Sequence, residues 1–455
     1  MKHYTEVTGQ ASMGILGKWV RAENIWGTVE EKVKINQKII KYRPTEKLKG
    51  LFVNILAGGE GVSDINHRLR IDVGIQRAFA MTECPEQSTI SQTLSACQMA
   101  NVRELRKSLQ EIYRKHGQGY RHDYGRQYQI LDIDLSALLS GEQAEEATKG
   151  YFSGSENRRG RQLGLVLASR YNEIVCEKIY NGKVQLEKNL PELVELAEEV
   201  LELDEAKCKC TFLRLDAGGG TETNINFILK RGYRFITKIK NWQRTCKLVK
   251  TVTQWHPLPG LPDHECGWVE SPIQFETDTR QLAIRWPNQK KPDEYRASVL
   301  VFNLSDPDIF TLLNRPLPDP CSDICLWSAI VHLYDQRGGG IESSFRNSKQ
   351  GLAITKRNKK SFHAQEMLIL LAELAYNIII WVQSELARHS STIASYGLLR
   401  MVRCAFHIAG SIHFYPDGNI QWIRLNGLHP LAPAFQSYCR SKESFSDLRI
   451  ILRKN

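Results

Sequence analysis

Hydrophobic and polar residues change rhythm along this chain, and each rhythm predicts a different kind of element. Over residues 1–120 apolar positions recur at helical spacing, as in Leu48, Leu51, Phe52, Ile55 and Leu56, which predicts helices joined by short loops. One helix start is marked by Pro85-Glu-Gln-Ser88-Thr89, where Ser88 or Thr89 can cap the orphan amides of the first turn. From Tyr128 the rhythm becomes strict alternation. Ile130, Asp132 and Asp134 then share one face of a strand, and Leu131, Ile133 and Leu135 share the other. Residues 162–168 and 173–179 read as two further strands, and 191–203 as an amphipathic helix rich in Leu and Glu. Residues 211–215 form a strand that ends on Asp216 and a run of glycines. A helix over 221–230 and a strand over 233–239 complete the series.

The order β-β-β-α-β-α-β is that of an α/β fold with a ribonuclease H-like mixed-sheet core. Short strands broken by Pro, Gly and charged turns fill 241–325, a β-rich insertion, and helices resume after it. The expected organisation is an N-terminal helical domain over 1–120, a candidate DNA-binding domain. The first part of the core follows over 121–240, the insertion over 241–325, and a helical completion of the core over 326–390. Residues 391–455 form a C-terminal region with no assigned role. The longest apolar run, 367–382, is interrupted by Glu373 and Asn377 and falls short of the roughly 20 residues of a membrane span. It reads as a buried helix whose Leu368, Leu371, Leu374, Ala375 and Ile378 pack on the sheet. With no apolar leader at residue 1, the chain is expected in the cytoplasm, with no membrane partner.

Composition sharpens this picture in two places. The formal net charge of +11 leans toward a polyanionic partner. The eleven cysteines include no CxxC pair, and neither Cys208/Cys210 nor Cys321/Cys325 is followed by His at zinc-finger spacing; they read as free thiols in a reducing compartment. Candidate chemistry lies in the acids. Glu342, Phe345, Arg346 and Lys349 stand at i, i+3, i+4 and i+7, one helical face that sets an acid beside two cations. Asp134 in the first strand and Asp216 after the fourth supply two more carboxylates. Phosphoryl transfer needs in-line positioning and neutralisation of developing charge, and two hard divalent ions held by carboxylates provide both. Each acid alone has a plainer reading: a salt bridge for Asp134 or Asp132, a turn former for Asp216, a helix-surface acid for Glu342. Lys356 and Arg357, with the loop bearing Asn157, Arg158, Arg159 and Arg161, are the best sequence-independent phosphate binders, or else a solvated basic surface. The basic stretch Arg103, Arg106, Lys107 suits a DNA groove or a solvated helix face equally. A tryptophan of the insertion (Trp242, Trp255, Trp268 or Trp286) could stack on an extruded base, though most tryptophans serve a core.

These residues resemble bacterial insertion-sequence transposases of the DDE type, in the group marked by a Tyr-Arg-Glu-Lys signature. Tyr334, Arg337, Glu342 and Lys349 meet the signature. Similar too are Leu131-Asp-Ile-Asp134-Leu-Ser, Lys149-Gly-Tyr151-Phe152, Leu215-Asp216-Ala-Gly and Leu374-Ala-Tyr-Asn377, so the likeness runs from about 125 to 390. It implies that Asp134, Asp216 and Glu342 form a catalytic, metal-binding triad for Mg²⁺, with Mn²⁺ able to substitute, and that Asp132 is the runner-up for the first position. Tyr334, Arg337 and Lys349 would grip DNA phosphates, and Arg346, on the same helical face as Lys349, is a further DNA-binding candidate. The implied partners are double-stranded DNA, as inverted terminal repeats and target, and a second copy of the chain in a synapsed dimer. A ribonuclease H-like nuclease without strand transfer, or a non-catalytic DNA-binding derivative, would use the same scaffold. One departure stands out: four residues, not three, separate Arg337 from Glu342, and three are Gly338, Gly339 and Gly340. Glycines disfavour a helix interior, so Tyr334 and Arg337 are expected on a separate turn.

Overall fold

The computed structural model describes residues 4–150, 152 and 158–453; Tyr151 and Asn157 lie outside them. The chain divides into two compact units. One comprises Met1–Gly117, Leu138–Ala147 and Phe345–Asn455, the other Gln118–Ala137 and Thr148–Ser344. In chain order the strands are β1 (Tyr4–Thr8), β2 (Gln129–Leu139), β3 (Thr148–Lys149), β4 (Arg159–Ala168), β5 (Glu173–Asn181), β6 (Thr211–Leu215) and β7 (Arg234–Lys238). Then come β8 (His256–Pro257), β9 (Glu265–Trp268), β10 (Arg280–Asn288), β11 (Lys291–Phe302), β12 (Gly410–Phe414), β13 (Ile420–Asn426) and β14 (Arg449–Arg453).

The second unit is built on one mixed sheet in the order β3-β4-β2-β6-β7-β11-β10-β9-β8, with β5 paired to β4. Its five core strands lie in the order β5-β4-β2-β6-β7. β4 and β5 are antiparallel, whereas β2, β6 and β7 are mutually parallel. This is the ribonuclease H-like core. The insertion extends the same sheet: β11 pairs antiparallel with β7, and β10, β9 and β8 follow outward. Ile130, Phe212, Ile236, Leu300 and Phe302 on one sheet face bury against Leu326, Ile330 and Leu333 of the helix Asp323–Arg337. Ser322 caps that helix by accepting a bond from the Cys325 amide. Burying five such side chains contributes roughly 1.5–3 kcal/mol each, which fixes the helix over the face that carries Asp132 and Asp134. The helix Leu186–Leu201 packs on β4 and β5.

The helical backbone does not break at the glycines. Asp323–Arg337 passes into a π-helical turn, Gly338–Glu342, and then into Ser343–Gly351. A turn closed by i→i+5 bonds takes one residue more than an α turn. It therefore absorbs the extra residue between Arg337 and Glu342, and the expected separate turn is corrected.

In the first unit, the helices Pro44–Leu56, Gln87–Ala96, Met99–His116 and Phe362–Ala387 pack on one another. The last is 26 residues long, longer than the apolar run, and passes the length and hydropathy test for a membrane span. Yet 94% of its most apolar window is buried inside the protein, as in the core helix of a globular unit. Within its unit it packs on those helices. The unit also holds a second sheet, β1-β12-β13-β14. Residues 1–120 are thus not wholly helical: β1 pairs with β12 near the far end of the chain.

Candidate active site

The site grows from strand register. β2 and β6 run parallel with Asp132 opposite Arg214 and Ile133 opposite Leu215. β6 then ends, while β2 continues to Leu139. Asp134 and Asp216 each follow the last ladder pair by one residue, close enough that the charge of Asp216 acts on Asp134. Asp216 caps the short turn Ala217–Gly219: its Oδ1 accepts from the Gly218 amide at 2.7 Å, and its carbonyl accepts from Thr237 Oγ1 at 2.8 Å. Those bonds fix the carboxylate at the sheet edge.

Asp134 is mostly buried, with 16% of its side chain exposed. Burial, and then the charge of Asp216, push its carboxyl up to about 6, against the opposing pull of Arg337. Its Oδ1 accepts from the Leu135 amide at 2.7 Å, and its Oδ2 from Arg337 Nη1 at 2.7 Å. The other end of that guanidinium, Nη2, donates to Glu342 Oε1 at 3.3 Å. Burial opposes charge on Arg337, but Asp134, Tyr334 and Asp216 outweigh it and hold the guanidinium protonated. Tyr334 is buried, which raises its phenol to about 12, and it is hydrogen-bonded to Arg337. The Lys238 ammonium lies 4.6 Å from the centre of the Tyr334 ring, its pKa lowered by burial.

Asp132 is differently placed. It is wholly buried and takes two bonds from Arg214, Nε at 2.6 Å and Nη2 at 2.9 Å, and a third from Ser169 Oγ. Arg214 Nη1 donates onward to the Leu333 carbonyl at 3.2 Å, tying the sheet to the last turns of the helix that carries Tyr334 and Arg337. A Cβ on Gly340 would lie 2.5 Å from Asp132 Oδ2, so the π turn packs directly on this ion pair and a side chain there would force a shift. Asp132 is thereby corrected as runner-up: its oxygens are already engaged.

The structure brings Asp134, Asp216, Glu342, Tyr334 and Arg337 together in one unit, whereas Arg346, Lys349, Lys356 and Arg357 belong to the other. Tyr334, read as a phosphate contact, is buried instead, and Arg337 is engaged by Asp134 and Glu342. Arg346 is exposed; Lys349 is half-buried and its pKa is lowered by burial. Lys356 is exposed and pairs with Glu60. Arg357 is corrected: it is buried, bonds the Leu352 carbonyl at 2.8 Å and the Gly59 carbonyl, and burial lowers it to about 10. The basic loop is corrected in part. Arg158 is exposed, but Arg159 and Arg161 lie in β4, and Arg161 is wholly buried, closed to a phosphate. Of the four insertion tryptophans, Trp242 is exposed at 57%. Trp255 lies under Arg285, Trp268 packs on Trp327, and Trp286 stacks on His264.

Sequence reasoning missed Arg214, Lys238 and Gly340. A signal for the first is present: a lone Arg inside the apolar run Thr-Phe-Leu-Arg-Leu calls for a buried acid, and Asp132 is the matching lone acid. Among the described residues no three His, Cys, Asp or Glu side chains converge closely enough to hold a metal. Asp134 and Asp216 do suit a hard divalent cation, since the charge of Asp216 raises the cost of charging Asp134; Glu342 reaches Asp134 through Arg337.

Residues 125–378 match the family described as Transposase DDE domain. A comparison with curated protein sequences gives no match. Among similar solved structures is the piggyBac transposase in a cryo-EM synaptic complex with hairpin DNA, 12% identical with a TM-score of 0.45 over 86% of this chain and 78% of that one. Because the family match spans more than half of the sequence, the chain belongs to the transposase DDE-domain family.

Proposed function

We propose that this chain cleaves DNA at the ends of its own insertion element and joins the freed 3′-hydroxyl ends to target DNA by metal-dependent phosphoryl transfer. The observation that carries the reading is the bonding of Asp134 and Glu342 to one guanidinium, that of Arg337, just past the end of the β2–β6 ladder, where Asp216 also follows. The family uses divalent metal ions; here Mg²⁺, with Mn²⁺ as substitute, would be held by Asp134 and Asp216, with Glu342 joining as third ligand once it leaves Arg337. Bound there, it would activate the attacking oxygen and stabilise the leaving one. The chain's own residues supply position and charge. Arg337 holds Asp134 in one rotamer and keeps positive charge where a phosphate would enter. Tyr334 bonds to its guanidinium, and the burial of both side chains strengthens that contact. Exposed Arg158, Arg346 and Lys356 suit contacts to the duplex backbone. The partners in this reading are terminal-repeat and target DNA, and pairing of two ends calls for a dimer on DNA.

The test is cleavage of a duplex carrying the element end, with Mg²⁺, by wild type and by Asp134→Ala, Asp216→Ala and Glu342→Ala. Each variant is expected to lose cleavage by more than about 10³-fold while still binding the end. Wild-type rates from Glu342→Ala overturn the assignment. Strand-transfer joints formed from a pre-cleaved end distinguish a transposase from a nuclease that only cuts.

A further inference from the structure

The second sheet has one covered face and one open face. Register places Thr5, His413, Trp422 and Arg449 in one row and Val7, Ser411, Arg424 and Ile451 in the next. The opposite face carries Ile412, Ile423 and Ile450, all buried. Helices of this unit pack on that side: a Cβ on Gly14, in Met13–Ala22, would touch Ile412 and Ile423, and one on Gly74, in Val73–Ala78, would touch Glu6 and Thr8. The open side differs in character. Val7 is 84% exposed and Ile451 39%, and Arg449 and Arg453 are exposed. His413 stacks on Trp422 with ring centres 4.6 Å apart and planes within 1°, and Arg424 stands 5.1 Å from the Trp422 ring centre. The outward positions include no acid, and among the described residues no carboxylate pairs with Arg424, Arg449 or Arg453.

We propose that this open face binds the phosphate backbone of duplex DNA, as a second binding surface apart from the acid site; the proposal rests on the transposase reading. Three arginines spread over two neighbouring strands, β13 and β14, make a cationic patch, and Arg424 lies over the Trp422 ring that stacks on His413. Arg guanidinium matches phosphate geometry in two-bond contacts. The charge selects the occupant. A second copy meeting this face symmetrically would set arginine against arginine, whereas a polyanion neutralises all three and releases its counterions.

The test uses the full chain and a duplex without the element's end sequence. Binding is measured across salt concentrations for wild type and for Arg424→Gln/Arg449→Gln/Arg453→Gln. The slope of log K against log salt is expected to shrink by about 2 to 3, roughly one unit for each phosphate that no arginine neutralises any longer, with circular dichroism and melting unchanged. An unchanged slope on a duplex that wild type does bind overturns this surface and leaves the transposase reading standing. A variant that alters sedimentation but not the salt slope also overturns it, because the face then serves self-association. Wild type that binds no duplex removes the transposase reading and this surface together.

Discussion

Two acids lie two residues apart on one face of β2 and meet different fates. Asp132 faces Arg214 across the β2–β6 ladder and is closed into a buried ion pair, with Ser169 taking up a remaining lone pair. Asp134, one side-chain step further, faces Asp216, where β6 has ended. The same face and the same residue type thus give a structural acid and a poised one. What separates them is what lies beyond each: Arg214 on β6 for Asp132, and Asp216 past the end of β6, with Arg337 of the helix, for Asp134. The first row satisfies itself, while the second keeps a repulsion that a cation would relieve.

The sharpest way to break this comparison is to remove the base from the satisfied row. Arg214→Leu leaves Asp132 buried without a counter-charge, and losing one partner of a buried pair costs about 3–5 kcal/mol. Urea unfolding should show that loss as a shift in midpoint. Asp132→Leu/Arg214→Leu should recover most of it, because replacing a whole buried pair with apolar groups is near neutral. If Arg214→Leu costs under about 1 kcal/mol, the pair does not anchor the fold and the contrast with Asp134 fails.

The poised row is tested by pH. The folded Asp134 carboxyl is raised to about 6, so the folded state binds its proton more tightly than the unfolded chain does. Its contribution to stability is complete below about pH 4 and is lost as pH rises through about 6, by at most about 3 kcal/mol. Burial is the larger cause and Asp216 the smaller. Asp216→Asn should therefore flatten the fall between pH 4 and 6 without abolishing it, as read from urea unfolding at stepped pH. A fall that is unchanged or steeper in the variant would show that Asp216 does not raise Asp134.

How much of this was legible follows from how local each signal is. Alternation in β2 displays the shared face of Ile130, Asp132 and Asp134 without any knowledge of tertiary structure, because side chains in a strand repeat every two residues. Register does not show itself in sequence, so which of the two acids meets Arg214 depends on β6. Contacts between distant segments are invisible for the same reason. Arg357 reads as a surface cation, yet the Gly59 carbonyl nearly 300 residues earlier buries it. Arg161 sits in a basic cluster, but β4 begins at Arg159 and carries it inward. β1 finds its partner β12 some 400 residues away, so a helical rhythm over 1–120 could not reveal it. The glycine triplet misleads differently: propensity argues for a break, and packing on the Asp132–Arg214 pair overrides it.

That triplet offers the finest test, because two adjacent glycines should respond in opposite ways. A Cβ on Gly339 meets nothing within 4 Å, whereas one on Gly340 would stand 2.5 Å from Asp132 Oδ2 and 3.4 Å from Ser169 Oγ. Gly339→Ala should be neutral or stabilise by up to about 1 kcal/mol, since alanine restricts the unfolded chain and suits a helix. Gly340→Ala must push the π turn away from a fully bonded carboxylate, and overpacking of this kind costs about 1–3 kcal/mol. It also displaces Glu342, two residues on, from Arg337. Thermal unfolding should separate the two variants in sign, and cleavage of an element end should fall for Gly340→Ala alone. Equal melting temperatures would mean that the turn yields freely and that the satisfied row of acids does not set the position of the other.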